Sequence, residues 1–217
     1  MYKIFLRLRK SIFKKFGLKV SPIENNSLKF LYPEATDYEI NLVETASEFS
    51  MTSYDRIFAL LRAIQHIDNN NLEGDFVECG VWKGGNLILY QKMIEKLNIK
   101  GKKIYGFDTF EGMSNPTDAD FPADNLFGGF KAEHYMKTQK KDLNINNIHA
   151  YAPIEMVKNN FNNNTENRNN LILIKGKVED TLKIQSNLPD KISILRLDTD
   201  WYESTKAELE VLYPRLV

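Results

Sequence analysis

The chain has 217 residues, 42% of them hydrophobic, enough for one α/β domain with a sizeable core. Lysine plus arginine and aspartate plus glutamate both number 29, and a zero net charge argues against a protein that works by wrapping nucleic acid. Cys79 is the only cysteine, which excludes an internal disulfide and points to a cytosolic compartment.

The chain opens MYKIFLRLRKSIFKKFGLKV, with seven basic residues and no acid, so the remainder carries a net charge of −7. Apolar Ile4, Phe5, Leu8, Ile12, Phe13 and Phe16 recur at roughly helical spacing. The expected role is a helix packed on its own domain or on a second subunit. The alternative is a peripheral contact with an anionic membrane surface. No apolar run is long enough for a secretory core or a membrane span. Residues 1–50 read as a basic helical extension and residues 51–217 as the domain proper.

SYDRIFALLRAIQHID places Ile57, Leu60, Leu61, Ile64 and Ile67 on one face of an amphipathic helix. Four short apolar segments follow: DFVECG, KKIYGFD, NLILIKG and KISILRLD, ending at Gly80, Asp108, Gly176 and Asp198. NLILYQKMIEKLN lies between the first two with helical spacing, so strand, helix and strand form a parallel βαβ unit. The strands are apolar on both faces, as in a sheet covered on both sides. Residues 112–142 form a long polar stretch of the kind that makes lids, and it carries Met113, Phe121, Phe127 and Phe130. KNNFNNNTENRNN, with eight asparagines in thirteen residues, reads as a solvated loop.

Ligands of open parallel sheets bind beyond the carboxyl ends of the strands. Glu78 stands at such an end, Gly80 permits a tight turn, and Gly84 lets the next helix approach closely. The E-x-G-x-x-x-G spacing lacks the close glycine pair that admits a pyrophosphate. An acid before the turn attracts a cation, and S-adenosylmethionine carries an ammonium and a sulfonium with no phosphate. Asp108, ending the second strand, is placed to accept both ribose hydroxyls or merely to cap a turn. Glu179 or Asp180, after the third strand, borders an adenine or caps a helix. Asp198 and Asp200 share one face of an extended chain. They repel unless a cation such as Mg²⁺ lies between them or one holds a proton; as solvated loop acids they would have no such role. His66, His134 and His149 are alternative bases; His66 in the amphipathic helix reads as structural, and His134 in the polar stretch is the better placed.

MTSYDRI, GDFVECGVWKGGN, FDTFEGM, IKGKVEDTL and LRLDTDWYESTKAELEVLYPRL occur in this order across roughly residues 50–217. Together they resemble the macrocin-type (TylF-like) sugar O-methyltransferases. The resemblance implies a Rossmann-like class I methyltransferase sheet with helices on both faces. It also implies S-adenosylmethionine, a divalent cation such as Mg²⁺, and a sugar or glycoside acceptor, with no nucleic acid as partner. By position Asp198 resembles a metal ligand and Asp200 the general base. Glu78, Gly80, Gly84, Asp108 and Glu179 resemble cofactor contacts, and Thr52 and Ser53 residues at the cofactor's amino-acid end.

Family members continue past the helix after strand four into a strand ending in paired aspartates. This chain ends LYPRLV, so the C-terminal strands are expected to be missing. Strand four would then offer an open edge, covered in a homo-oligomer. On that footing the chain alone binds cofactor and methylates poorly. Two alternatives stand beside this reading. One is a nucleotide-sugar glycosyltransferase using Asp198-Thr199-Asp200 as its D-x-D; the other is an inactive truncated cofactor-binding module.

Overall fold

The computed structural model describes residues 27–117, 119, 120, 136–143 and 149–217. The basic start of the chain, Phe121, Phe127, Phe130 and His134 therefore lie outside the described residues. Two compact units divide between Asn41 and Leu42, ahead of the boundary expected near residue 50. The first unit holds α1 (Ser27–Leu31) and the start of α2 (Asp37–Glu48). A capping box starts α2: the Thr36 N–H donates to Glu39 Oε2 at 2.7 Å and the Glu39 N–H to Thr36 Oγ1 at 3.2 Å.

The second unit is built on four parallel strands: β1 (Asp75–Cys79), β2 (Ile104–Asp108), β3 (Leu171–Lys175) and β4 (Ile192–Leu197). Each lies where its apolar run predicts. Their spatial order is β3-β2-β1-β4, so β1 is central and the order reverses between β1 and β4. Glu78 stands opposite both Gly106 and Arg196 in register. Helices cover both faces, as the sequence leads one to expect. On one face β1 turns Phe76 and Glu78 toward α4 (Gly85–Leu97), and the Phe76 ring stacks on Tyr90 with centroids 5.0 Å apart. On the other, Val77 and Cys79 join Val178 and Leu182 of the α6 region (α6, Val178–Thr181). Ala207, Val211 and Leu212 at α7 (Tyr202–Val211) complete that layer. This alternation follows from the two-residue period of a strand. Helix α3 (Tyr54–Asn69) buries Ile57, Leu60, Leu61, Ile64 and Ile67. Each such side chain contributes on the order of 1.5–3 kcal/mol of burial.

The asparagine-rich stretch departs from expectation. Its first half is the end of α5 (Ile154–Asn164), not a loop. Val157 and Phe161, four residues apart, are buried at 0% and 1% exposure. That one-sided anchor overrides the modest helix propensity of asparagine. The far edge of β4 also differs. Leu216 forms a parallel bridge with Ile192, and the Val217 N–H donates to the Ile192 carbonyl at 3.1 Å, so that edge is partly covered by the chain itself.

Candidate active site

A cleft of about 300 Å³ opens at the carboxyl ends of the strands, where the strand order reverses. Gly80 after β1, Asp108 ending β2, Glu179 on α6, and Asp198 and Asp200 after β4 all line it, with Thr52 from the segment before α3. These six expected residues come from five places in the sequence. Ser53, Glu78 and Gly84, expected beside them, do not line the cleft. Ser53 is the N-cap of α3, without a side-chain cap bond. Gly84 precedes α4 at φ +90°, where a Cβ would stand 3.0 Å from Val157 Cγ1; its small size serves helix packing. Glu78 is buried between the sheet and α4.

Gly80 makes the turn that the sequence predicts. Its φ is +85°, and a Cβ there would come within 2.4 Å of the Asp198 carbonyl oxygen. The Gly80 N–H donates to the Phe107 carbonyl at 2.9 Å, and the Asp198 N–H to that of Cys79 at 2.8 Å. The turns after β1 and β4 are thus tied backbone to backbone.

Asp108 is occupied by its own loop. Its Oδ2 accepts from the Val81 and Trp82 N–H groups at 2.8 and 3.1 Å, and its Oδ1 from the Phe110 N–H at 2.7 Å. Burial raises its pKa, opposed by these backbone donors. The turn-capping role therefore exists in the structure, and any ribose contact would use the acceptor capacity left over. Asp108→Asn would set an amide against these donors. We expect it to lose about 1–3 kcal/mol of stability in urea denaturation, and a variant as stable as the parent would contradict this.

Glu78 and the residue opposite it form a network that motif reading missed. Glu78 Oε1 accepts from Asn86 Nδ2 at 2.7 Å and Arg196 Nη1 at 3.0 Å. Burial raises its pKa to about 7, against the pull of Arg196. Arg196 also pairs with Asp198 Oδ2 at 2.9 Å and donates through Nη2 to Thr52 Oγ1 at 2.9 Å. The signal in the sequence was an arginine inside an apolar strand two residues before Asp198, on the same face. Asp200 is exposed at the cleft wall, and desolvation and then the charge of Asp198 raise its pKa, as suits a base.

Under the Asp198–Asp200 loop lies a second buried acid. Glu208 of α7 accepts from Thr199 Oγ1 at 3.0 Å through each oxygen, and from the Cys79 thiol. Burial raises its pKa from 4.5 to about 7. A raised carboxyl pKa means the folded state holds a proton that the unfolded state releases. Its stabilising contribution is full below about 4.5 and lost as pH rises through about 7. Glu208→Gln should remove roughly 2–3 kcal/mol of that fall, leaving the similar window of Glu78. Denaturation at about pH 5 and about pH 8 is the measurement. An identical pH dependence in parent and variant would contradict it.

The polar stretch after β2 closes one side of the cleft. Met113 and Ser114 line it, and Trp201 Nε1 donates to the Ser114 carbonyl at 2.9 Å. Glu179 Oε1 accepts from Ser204 Oγ at 2.9 Å. Asp180 faces outward to Lys183 and is no part of the cleft. His66 is an exposed residue of α3, 3.2 Å from Asn70 Nδ2 through its Nδ1, and it does not line the cleft. Among the described residues no group of three His, Cys, Asp or Glu is arranged to hold a metal ion, and no helix is long and apolar enough to cross a membrane.

A family model described as macrocin-O-methyltransferase (TylF) matches residues 37–217. Demethyldecarbamoylnovobiocin O-methyltransferase of Streptomyces niveus is 26% identical over 171 residues, 79% of this chain and 59% of that protein. The 8-demethyl-8-(2,3-dimethoxy-alpha-L-rhamnosyl)-tetracenomycin-C 4'-O-methyltransferase of Streptomyces olivaceus is 24% identical over 216 residues, 98% of this chain and 75% of that one. Among solved structures the O-methyltransferase NovP superposes with a TM-score of 0.60 at 27% identity, covering 77% of this chain and 63% of that one. The calicheamicin methyltransferase CalS11, at 17% identity and a TM-score of 0.51, shares the fold. The chain thus spans 59% of the length of the first of these relatives.

Proposed function

Because the chain belongs to the macrocin O-methyltransferase (TylF) family, we propose that it binds S-adenosylmethionine in the cleft between β1 and β4 and transfers its methyl group to a hydroxyl of a sugar or glycoside. One observation carries the reading. Gly80, Asp108, Glu179, Asp198 and Asp200, drawn from the ends of four strands, meet around one cleft at the point where the strand order reverses. A relative whose name includes a rhamnosyl group supports the sugar acceptor.

Bound there, the cofactor supplies a methyl group on a sulfonium, an electrophile that needs no further activation. The residues of this chain then have to hold a hydroxyl in line with it, which supplies much of the acceleration, and take the hydroxyl proton. Asp200 is the base: it lines the cleft, and its raised pKa makes it a stronger acceptor than a free aspartate. Thr199, held by Glu208, fixes the loop that carries it. Trp201, tied to Ser114, narrows the entrance for water on that side.

The Mg²⁺ that the family resemblance implies is a separate matter. Asp198 and Asp200 are hard oxygen donors of suitable chemistry, but Asp198 Oδ2 is held by Arg196 at 2.9 Å and no third ligand joins them among the described residues. The residues present do not by themselves fit a six-coordinate cation, and no step here depends on one.

Calorimetric titration tests the reading. S-adenosylhomocysteine is expected to bind, and a panel of nucleotide sugars is not expected to compete with it. Binding of the nucleotide sugars with no affinity for S-adenosylhomocysteine would replace this function with the D-x-D glycosyltransferase one.

A further inference from the structure

Helix α7 begins without a cap of its own. Its N-cap residue is Trp201, whose side chain makes no cap bond; an indole N–H can only donate. The first backbone N–H groups of a helix have no partner within it, and here one of them finds a partner far away in sequence. The Tyr202 N–H donates to Asp120 Oδ1 at 2.6 Å, across 82 residues. Asp120 belongs to the polar stretch after β2, and its other oxygen is used there. Oδ2 accepts from the Thr117 N–H at 2.6 Å and from Thr117 Oγ1 at 3.1 Å. One carboxylate thus ties its own turn to the start of α7, and its charge suits the positive end of the helix.

The point of attachment matters because of what precedes it. Residues 198–202 follow β4 and carry both aspartates of that cleft wall. Asp198 is held by Arg196 at 2.9 Å, Thr199 by Glu208 at 3.0 Å, the Trp201 ring by the Ser114 carbonyl at 2.9 Å and the Tyr202 N–H by Asp120. Asp200 stands between them, and among the described residues no hydrogen bond or ion pair holds its side chain. The loop is pinned on both flanks, and the Asp200 carboxylate is left to face the cleft that it lines. Asp120 does not line the cleft. Nor does it hold Met113 and Ser114 there: the Met113 N–H donates to the His149 carbonyl at 2.8 Å, and Ser114 is bonded to Trp201. Loss of Asp120 therefore releases the start of α7 without removing the cleft wall.

We propose that Asp120 is a positioning residue: it caps α7 from the polar stretch and thereby fixes the backbone on which Asp200 is aimed at the acceptor hydroxyl. This rests on Asp200 being the base of a methyl transfer. A cap that served only the fold would slow every form of the enzyme alike. A cap that aims the base loses its effect once the base is gone.

The experiment uses the whole chain and its variants Asp120→Ala, Asp120→Asn, Asp200→Asn and Asp120→Ala/Asp200→Asn. Hydrogen exchange reads the Tyr202 amide, and calorimetry with S-adenosylhomocysteine reads the cofactor site. Radiolabelled transfer to methyl rhamnoside and to phenyl glycosides reads kcat and KM. Asp120→Ala is expected to speed exchange of the Tyr202 amide about threefold to thirtyfold, the effect of one N-cap, and to leave residues 206–211 unchanged. It should lower kcat about tenfold to hundredfold, the cost of misplacing a reacting group by about 1 Å, with S-adenosylhomocysteine affinity and the KM for S-adenosylmethionine within about threefold. Asp120→Asn has one acceptor oxygen for two sets of donors and should fall between alanine and the parent on both readouts. The double variant should be within about twofold of Asp200→Asn, because one residue acts through the other. An equal further loss in the Asp200→Asn background, a parental kcat in Asp120→Ala, or unchanged exchange at Tyr202 would each overturn the proposal while leaving the function standing. A parent chain that methylates none of these glycosides would overturn the function and this role with it.

Discussion

Gly80→Ala is expected to unfold at markedly lower denaturant and to lose measurable S-adenosylhomocysteine binding. Two costs combine at this position. An alanine at φ +85° enters the left-handed region, at about 1–2 kcal/mol. Its Cβ would also stand 2.4 Å from the Asp198 carbonyl oxygen and 2.8 Å from the carbonyl carbon. Those atoms are backbone, so the turns after β1 and β4 must part to relieve the contact. Together we expect roughly 3–5 kcal/mol, a size seen only where a named structural constraint is broken. Gly101→Ala is the control. It shares a positive φ, +77°, but a Cβ there meets nothing within 4 Å, so it should cost only about 1–2 kcal/mol. Equal urea midpoints for the two variants would show that the approach of Asp198 to Gly80 is unimportant.

Asp200→Asn is expected to lower the rate of methyl transfer by about 10²–10⁴-fold, the usual contribution of a positioned base, with S-adenosylhomocysteine affinity little changed. The pH dependence carries the same information. Burial and the Asp198 charge raise the pKa of Asp200, so the rate should climb as pH rises through a value above that of a free aspartate. Asp198→Asn removes one of the two causes and should shift that limb toward lower pH. A radiolabelled transfer assay across pH, with glycosides as acceptors, measures both. An Asp200→Asn enzyme as fast as its parent would remove Asp200 from the chemistry.

The strands and the principal helices were legible because their signals are local. DFVEC, IYGFD, LILIK and ISILRL are short apolar runs bounded by glycine or aspartate, and a chain of four such runs with helices between has few topologies open to it. The cleft residues at the strand ends were legible for the same reason, since a carboxyl end is fixed once the strand is found. What stayed hidden was decided by partners far away in sequence. Glu208 lies in a helix that also carries Glu203 and Glu210, and periodicity alone gives it to solvent; its burial depends on Thr199 and Cys79. Glu78 sits at a strand end like the others, yet Arg196 and Asn86 draw it into the core. The asparagine-rich helix was hidden because propensity speaks for all thirteen residues of the stretch, whereas its packing anchors are Phe161 within it and Val157 just ahead of it.

Cys79 offers a use that follows from where it lies. It is the chain's only cysteine, wholly buried at the end of the central strand, with its thiol pKa pushed well up by burial. A thiol so placed is inert toward an alkylating dye while the sheet is closed, because both access and the thiolate are withheld. Labelling then waits for the β1–β4 seam to open, and its rate reads the free energy of that opening directly. The molecule thus contains a single-site clock in the core layer between β1 and the helices that cover it. A ligand that bridges the seam should slow the clock in proportion to its occupancy, with no engineered label and no turnover required.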